Sequence, residues 1–308
     1  MMRIVTAAAF SFVLGSSVVA APPARAQDIP PELKNDMIEI EYNEPTSAKY
    51  QPIYQRLKER KLLEQLAAFL SPIKLQGALV LSLEEGDPRA CRGPNSYYDL
   101  AGKLHLCYSW FYYLENEVAK EVARQPSEPF TSTSLGLIPG FSRAEVIIGG
   151  SVGVILHELG HALFDIQDIP LFGREEDGAD QIASLLMLQF GKEVALTTIK
   201  GFYNVWHHSN AERMIAQKGQ IRPYQEADEH SIDIQRAYNI LCMAYGKDPE
   251  AFGDLADRLL PRVRKASCAE EYKQVANAFR KTVLPDLDPD LMKKVLQMQI
   301  LRPDDFKR

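Results

Sequence analysis

The run from Val152 to Phe164 is almost wholly apolar, yet it contains His157, Glu158 and His161. Nothing from Ser151 to Asp165 breaks a helix except glycine, which only weakens one. On a helix, residues four apart lie one above the other. His157 and His161 therefore share a face, and each can offer a ring nitrogen to one cation while Glu158 reaches a water on it. This is the H-E-x-x-H arrangement of zinc peptidases. The alternative is a core helix with two buried histidines and a carboxylate, which is costly unless something pairs them.

A catalytic zinc site takes three protein ligands and leaves a fourth position for water. The next acids downstream are in Arg174-Glu175-Glu176-Asp177-Gly178-Ala179-Asp180-Gln181, which opens an amphipathic helix running to about Phe190. Glu176 and Asp180 share a face, so Glu176 suits the third ligand and Asp180 the carboxylate that orients a metal-bound histidine. Glu175 is the rival ligand, but Ala179, four residues on, can orient nothing. The competing explanation is a solvated acidic helix start, since acids favour the first turn.

His-Glu-x-x-His followed on a second helix by Glu-x-x-x-Asp resembles the gluzincin metallopeptidases, whose type case is thermolysin. It resembles more closely a family of uncharacterised bacterial metallopeptidases. The resemblance extends to Asn95-Ser96-Tyr97-Tyr98-Asp99, Cys107-Tyr108, Asp228-Glu229-His230-Ser231, Gln235-Arg236 and Tyr238-Asn239, and covers about Leu79 to Tyr272. It implies an α+β fold: a small N-terminal sheet with an edge strand, a central H-E-x-x-H helix and a mostly helical C-terminal lobe. It implies that Asn95 and Ser96 sit on the edge strand and bind the substrate backbone as an added strand. It gives His230 the task of holding the oxyanion, which a histidine beside Asp228 and Asp233 at a helix start can perform; a capping or surface histidine is the alternative. The short gap between His161 and Glu176 means that the loop from Ile166 to Arg174 cannot copy thermolysin in detail.

Residues 1–26 read as a secretory signal: Arg3, an apolar run from Ile4 to Ala21, and the small-x-small site Ala24-Arg25-Ala26, with cleavage after Ala26. An uncleaved signal anchor is the rival, and no later segment is expected to span a bilayer. Loss of Arg3 and Arg25 takes the net charge from −6 to −8, which argues against nucleic acid and anionic membranes as partners. The rest, 27–308, is expected to be one two-lobed domain, with an N-lobe of about 27–165 and a C-lobe of about 166–308.

Within it, Met37–Tyr42 and Gly77–Leu83 read as strands, Tyr50–Leu70 as one amphipathic helix, and Leu106–Arg124 as an aromatic-rich helix. Asn95–Leu100 and Lys103–Cys107 read as a hairpin about Ala101-Gly102. Gln125–Phe141 is a loose linker. Ser142 with Glu145 forms a capping box for a helix running through the histidine pair, with a weak point at Gly149-Gly150. Four cysteines in an exported chain imply disulfides. Of three possible pairings the local one, Cys91–Cys107 with Cys242–Cys268, is expected.

Further helices are expected over Val194–Gly219, Ile232–Tyr245 and through the charged, proline-punctuated remainder. His207 and His208, adjacent and so about 100° apart on a helix, read as surface or lining residues. His105 has no assigned task, and Arg236 either reaches the acids beside the histidines or pairs with Asp233.

The reading is an exported or periplasmic zinc-dependent endopeptidase acting on peptides or proteins. One Zn²⁺ per chain would be held by His157, His161 and Glu176, with Glu158 as general base. The alternatives are an exported binding or structural protein with a non-catalytic zinc site, and a zinc-dependent amidase or esterase.

Overall fold

The computed structural model describes residues 29–87, 90–91, 93–118, 141–223, 227–283, 285 and 287–297. The proposed signal, residues 1–26, lies outside them. Apolar and acidic alternation produces β1 (Ile38–Tyr42). The stretch expected as one helix over Tyr50–Leu70 is two, α1 (Gln51–Glu59) and α2 (Leu62–Leu70). Lys61 between them adopts φ 52°, the left-handed turn that ends a helix. β2 (Leu79–Glu84) follows, then the expected hairpin of β3 (Tyr97–Asp99) and β4 (Lys103–Cys107). Gly102, at φ 85°, closes its turn by donating to the Asp99 carbonyl at 3.0 Å.

The four strands form one mixed sheet in the order β1-β2-β4-β3. β1, β2 and β4 run parallel, and β3 is the antiparallel edge. Leu79, Leu81, Leu83, Leu104 and Leu106 are fully buried in it. α3 (Tyr108–Tyr113) leaves β4 directly and continues as a π-helical turn, Leu114–Val118. The rest of the helix expected to Arg124, and most of the linker, lie outside the described residues.

α4 (Arg143–Ile166) carries the two histidines. Ser142 Oγ accepts from the Glu145 N–H at 3.2 Å and Glu145 Oε2 from the Ser142 N–H at 2.6 Å, the expected capping box. By length and composition α4 could cross a membrane, contrary to the expectation that no later segment is so apolar. Most of it is instead enclosed by the fold: β3 and β4 touch it on one side, and α5 (Glu175–Met187) and α6 (Lys192–Ala216) on the other. α7 (Asp233–Lys247), α8 (Pro249–Leu259), α9 (Arg262–Thr282) and α10 (Pro289–Gln297) complete an α+β molecule that is mostly helical. Both expected disulfides are present: Cys91–Cys107 joins the segment before the hairpin to the end of β4, and Cys242–Cys268 joins α7 to α9. They are compatible with an extracellular or periplasmic protein.

α4 runs without interruption through Gly149 and Gly150. Gly149 and Gly201 let α6 cross it at backbone distance: a Cβ at Gly201 would lie 1.8 Å from the Glu145 carbonyl oxygen, and one at Gly149 2.4 Å from that of Thr198. Gly201→Ala is therefore expected to cost about 1–3 kcal/mol or more by overpacking. A thermal midpoint equal to that of the parent would contradict the crossing.

The edge strand is pinned by a buried imidazole. His105 on β4 places Nδ1 2.7 Å from Glu84 on β2 and Nε2 2.9 Å from Asp99 on β3. Tyr97 stacks on the ring with centroids 4.3 Å apart. Lys103 adds charge beside Glu84 and Glu41. Burial opposes protonation of His105, but the two carboxylates outweigh it and raise its pKa. A raised folded-state pKa gives stability that is fully present below the unfolded value of about 6.5 and is lost as pH rises through the folded value. His105→Gln should thus cost about 1.5–3 kcal/mol at pH 6, and urea unfolding should show the gap narrowing at alkaline pH. A pH-independent gap would exclude the charged clamp.

Candidate metal centre and cleft

Helical spacing on α4 sets His157 and His161 one above the other, with Nε2 atoms 3.3 Å apart. α5 enters with Arg174 at its N-cap, so Glu176 falls in its first turn, facing α4. Glu176 Oε2 lies 3.1 Å from His157 Nε2 and 3.5 Å from His161 Nε2. These three side chains converge on one point. Glu158, the next residue after His157, is buried outside that set, and its Oε2 accepts the Tyr98 backbone N–H at 3.0 Å.

Each imidazole has a carboxylate behind it. Asp180 Oδ1 lies 2.9 Å from His157 Nδ1, and Glu175 Oε1 lies 2.7 Å from His161 Nδ1. Asp180 is in turn gripped by Arg236 of α7, Nε at 2.7 Å and Nη2 at 2.8 Å, while that guanidinium stacks on Trp206, 3.6 Å from the ring centroid. Arg236 therefore pairs with Asp180 rather than Asp233. Asp233 is held by Ser209 and Arg213.

The site is rich in negative charge. Burial would raise the Glu176 carboxyl, but His157, His161 and His230 overcome it and hold its pKa far below the usual range. Burial also opposes a charged His161, yet Glu176 and Glu175 draw its pKa up to about 9. A field that holds a proton so tightly also favours a metal cation. For Glu158, burial comes first and raises the pKa, with His157 and His161 pulling it down.

Around this point runs a cleft of about 680 Å³, walled by β3, α3, α4, α5, α6 and the loop before α7. His230 lines it, with Nε2 3.1 Å from Glu176 Oε2 and Nδ1 2.9 Å from Asp228. His230 groups with Glu176 and Glu229, not with the His157–His161–Glu176 set. Asn95 and Ser96 also line the cleft but precede the edge strand, which begins at Tyr97. The Asn95 amide donates to the Ala90 carbonyl, and the Ser96 hydroxyl accepts the Cys107 N–H. The Cys107 N–H thus goes to the Ser96 side chain instead of a backbone carbonyl, and ladder pairing begins only at Tyr97.

His207 and His208, expected at the surface or in the lining, are both 1 % exposed and are not among the residues lining this cleft. α6 is packed against α4 on one side and α7 on the other, so little of its circumference is free. Three contacts escaped the sequence reading. Glu175 is the His161 partner, and its place beside Glu176 was the available signal. The Tyr98 N–H and the Arg236–Trp206 stack carried no local signal, because each depends on tertiary contact.

A family model described as "Putative metallopeptidase" matches residues 42–283. No curated protein and no solved structure matches the chain. A metallopeptidase pattern implies a metal ion, and the residues fit one. Glu176 Oε2 is buried and accepts no hydrogen bond, although three imidazole nitrogens surround it. Ligand atoms bound tetrahedrally at about 2.0–2.1 Å stand about 3.3 Å apart, and the separations here are 3.1, 3.3 and 3.5 Å.

Removing the support behind a ligand should weaken metal binding about 10- to 100-fold. Asp180→Asn, which also strands the Arg236 charge, is expected at the upper end and Glu175→Gln at the lower. Chelator competition measures both, and parent-like affinity in Asp180→Asn would refute the arrangement.

Proposed function

The chain belongs to this metallopeptidase family, and from that premise we propose that it is an exported, zinc-dependent peptidase of gluzincin type. His157, His161 and Glu176 hold one zinc per chain, Glu158 is the general base, and His230 steadies the oxyanion. One observation carries the reading. Two imidazoles and a carboxylate converge, while a second, buried carboxylate stands beside them in the same cleft and outside the set. A purely structural zinc site fills its positions with protein ligands and has no use for that fourth group.

When bound, zinc supplies a Lewis acid that polarises the scissile carbonyl and makes water more acidic. Glu158 takes a proton from the attacking water and passes it to the leaving amine. The Tyr98 N–H holds one Glu158 oxygen in place, and burial raises the proton affinity that a base needs near neutral pH. Tyr98 also donates its hydroxyl to Asp165 at 2.6 Å, so the edge strand is fastened to α4 at two points. An extended substrate adding to that strand is thereby aligned with the base. Glu176 first, against the opposing effect of burial, and then Asp228 favour the charged form of His230, and Asp228 also keeps its ring oriented. With its side chain 42 % exposed, His230 has room to swing from Glu176 to the developing oxyanion.

Glu158→Gln should retain about one zinc per chain and lose about 10²–10⁴-fold in peptide hydrolysis. Metal analysis beside a turnover assay checks both. Retained turnover would remove Glu158 from the mechanism, and a zinc-loaded parent that cuts no peptide in a broad library would favour a binding protein.

A further inference from the structure

Resting on the peptidase reading, we infer that the cleft selects substrates bearing a carboxylate on the α6 side of the scissile bond, and that Arg213 is the residue that recognises it. Along α6, Val205, Ser209 and Arg213 follow at intervals of four and line the cleft beside Trp206. The Trp206 end lies next to the metal ligands, because the guanidinium stacked on it reaches within 3.4 Å of His157 Nδ1. Arg213 lies two turns further on, about 10 Å along the axis. An extended peptide advances about 3.3 Å per residue, so Arg213 faces a group two to three residues from the scissile bond.

The lining acids are unevenly shared, with Arg174 on their side of the cleft. Glu158, Glu175, Glu176 and Glu229 lie on α4, α5 and the loop before α7. The lining residues of α3 and α6 are Trp110, Tyr113, Val205, Trp206, Ser209 and Arg213, with no acid among them. Arg236 is buried and committed to Asp180 on two nitrogens. Arg213 differs: its side chain is 44 % exposed, and Asp233 meets it through Nη2 at 3.0 Å. Asp233 is itself buried, is shared with Ser209, and does not line the cleft. The neighbouring Glu212 turns to Tyr113 and His208. Arg213 is thus paired with Asp233, which does not line the cleft, while its own part-exposed side chain does. A guanidinium carries five donors in a planar fork suited to a carboxylate. The aromatic wall of Trp110 and Tyr113 accommodates the body of the residue that bears it. That carboxylate belongs either to an acidic side chain or to the free C-terminus of a short peptide.

The test uses matched peptides cut by the wild-type zinc protein. One set compares Asp or Glu with Asn or Gln at each of three positions on either side of the scissile bond, and another compares a free with an amidated C-terminus. We expect at least tenfold higher kcat/KM for the carboxylate member of one set, expressed mainly in KM. The set that responds identifies the source. Arg213→Gln should abolish the difference, its loss of kcat/KM falling at least tenfold more heavily on the carboxylate member of the pair than on the neutral one. Equal rates for acid and amide forms, or an equal loss on every peptide in Arg213→Gln, would overturn the inference, the latter marking Arg213 as a brace for α7. Calorimetric binding of the same pairs to Glu158→Gln reads selectivity without turnover. Tenfold tighter binding of carboxylate forms with no cleavage by wild type would sink the peptidase reading alone. Cleavage without carboxylate selectivity would sink this inference alone.

Discussion

The constraint on which the structure turns is the enclosure of two imidazoles, one buried and one half-buried, and a buried carboxylate in the apolar body of one helix. Such groups are unfavourable away from water unless each has a partner. Every partner comes from a different element: Glu176 and Asp180 from α5, Arg236 from α7, and the Tyr98 N–H from the edge strand. The packing of α4 between the sheet and the other helices is thus also the means by which its polar groups are satisfied. Removing any one neighbour would leave a charge stranded.

Support for the centre is arranged in depth. His157 leans on Asp180, Asp180 on Arg236, and Arg236 on the face of Trp206 in α6. On the opposite wall, Tyr98 reaches α4 through both its backbone and its hydroxyl, and His105 fixes the strand that carries it. The two disulfides tie the flanks, one at the hairpin and one between α7 and α9. The arrangement suits a site whose ligand geometry must be set before substrate arrives.

Much of this was legible in the chain itself. The histidine pair, the capping box at Ser142 and the local cysteine pairs are encoded by short-range spacing, and each appears where spacing puts it. Glu176 and Asp180, four apart, are legible as two acids on one helix face, and both meet His157. The break at Lys61 was missed because a continuous amphipathic pattern passes through a left-handed residue without changing. His207 and His208 were misplaced because helical periodicity says which residues share a face, not how many faces are covered. The role of Glu175 was set aside by treating orientation as a matter of i, i+4 spacing, when its partner sits on another helix.

The crossing of α4 and α6 also bears on how such a chain can drift. At positions 149 and 201 each main chain occupies the space that a side chain on the other would need. Admitting a methyl at either would push the helices apart, and the separation would carry Trp206 away from His157. No neighbouring side chain can shrink in compensation, because what stands in the way is backbone. Tolerance of substitution is therefore expected to be among the lowest two turns upstream of the imidazoles, at residues that do no chemistry.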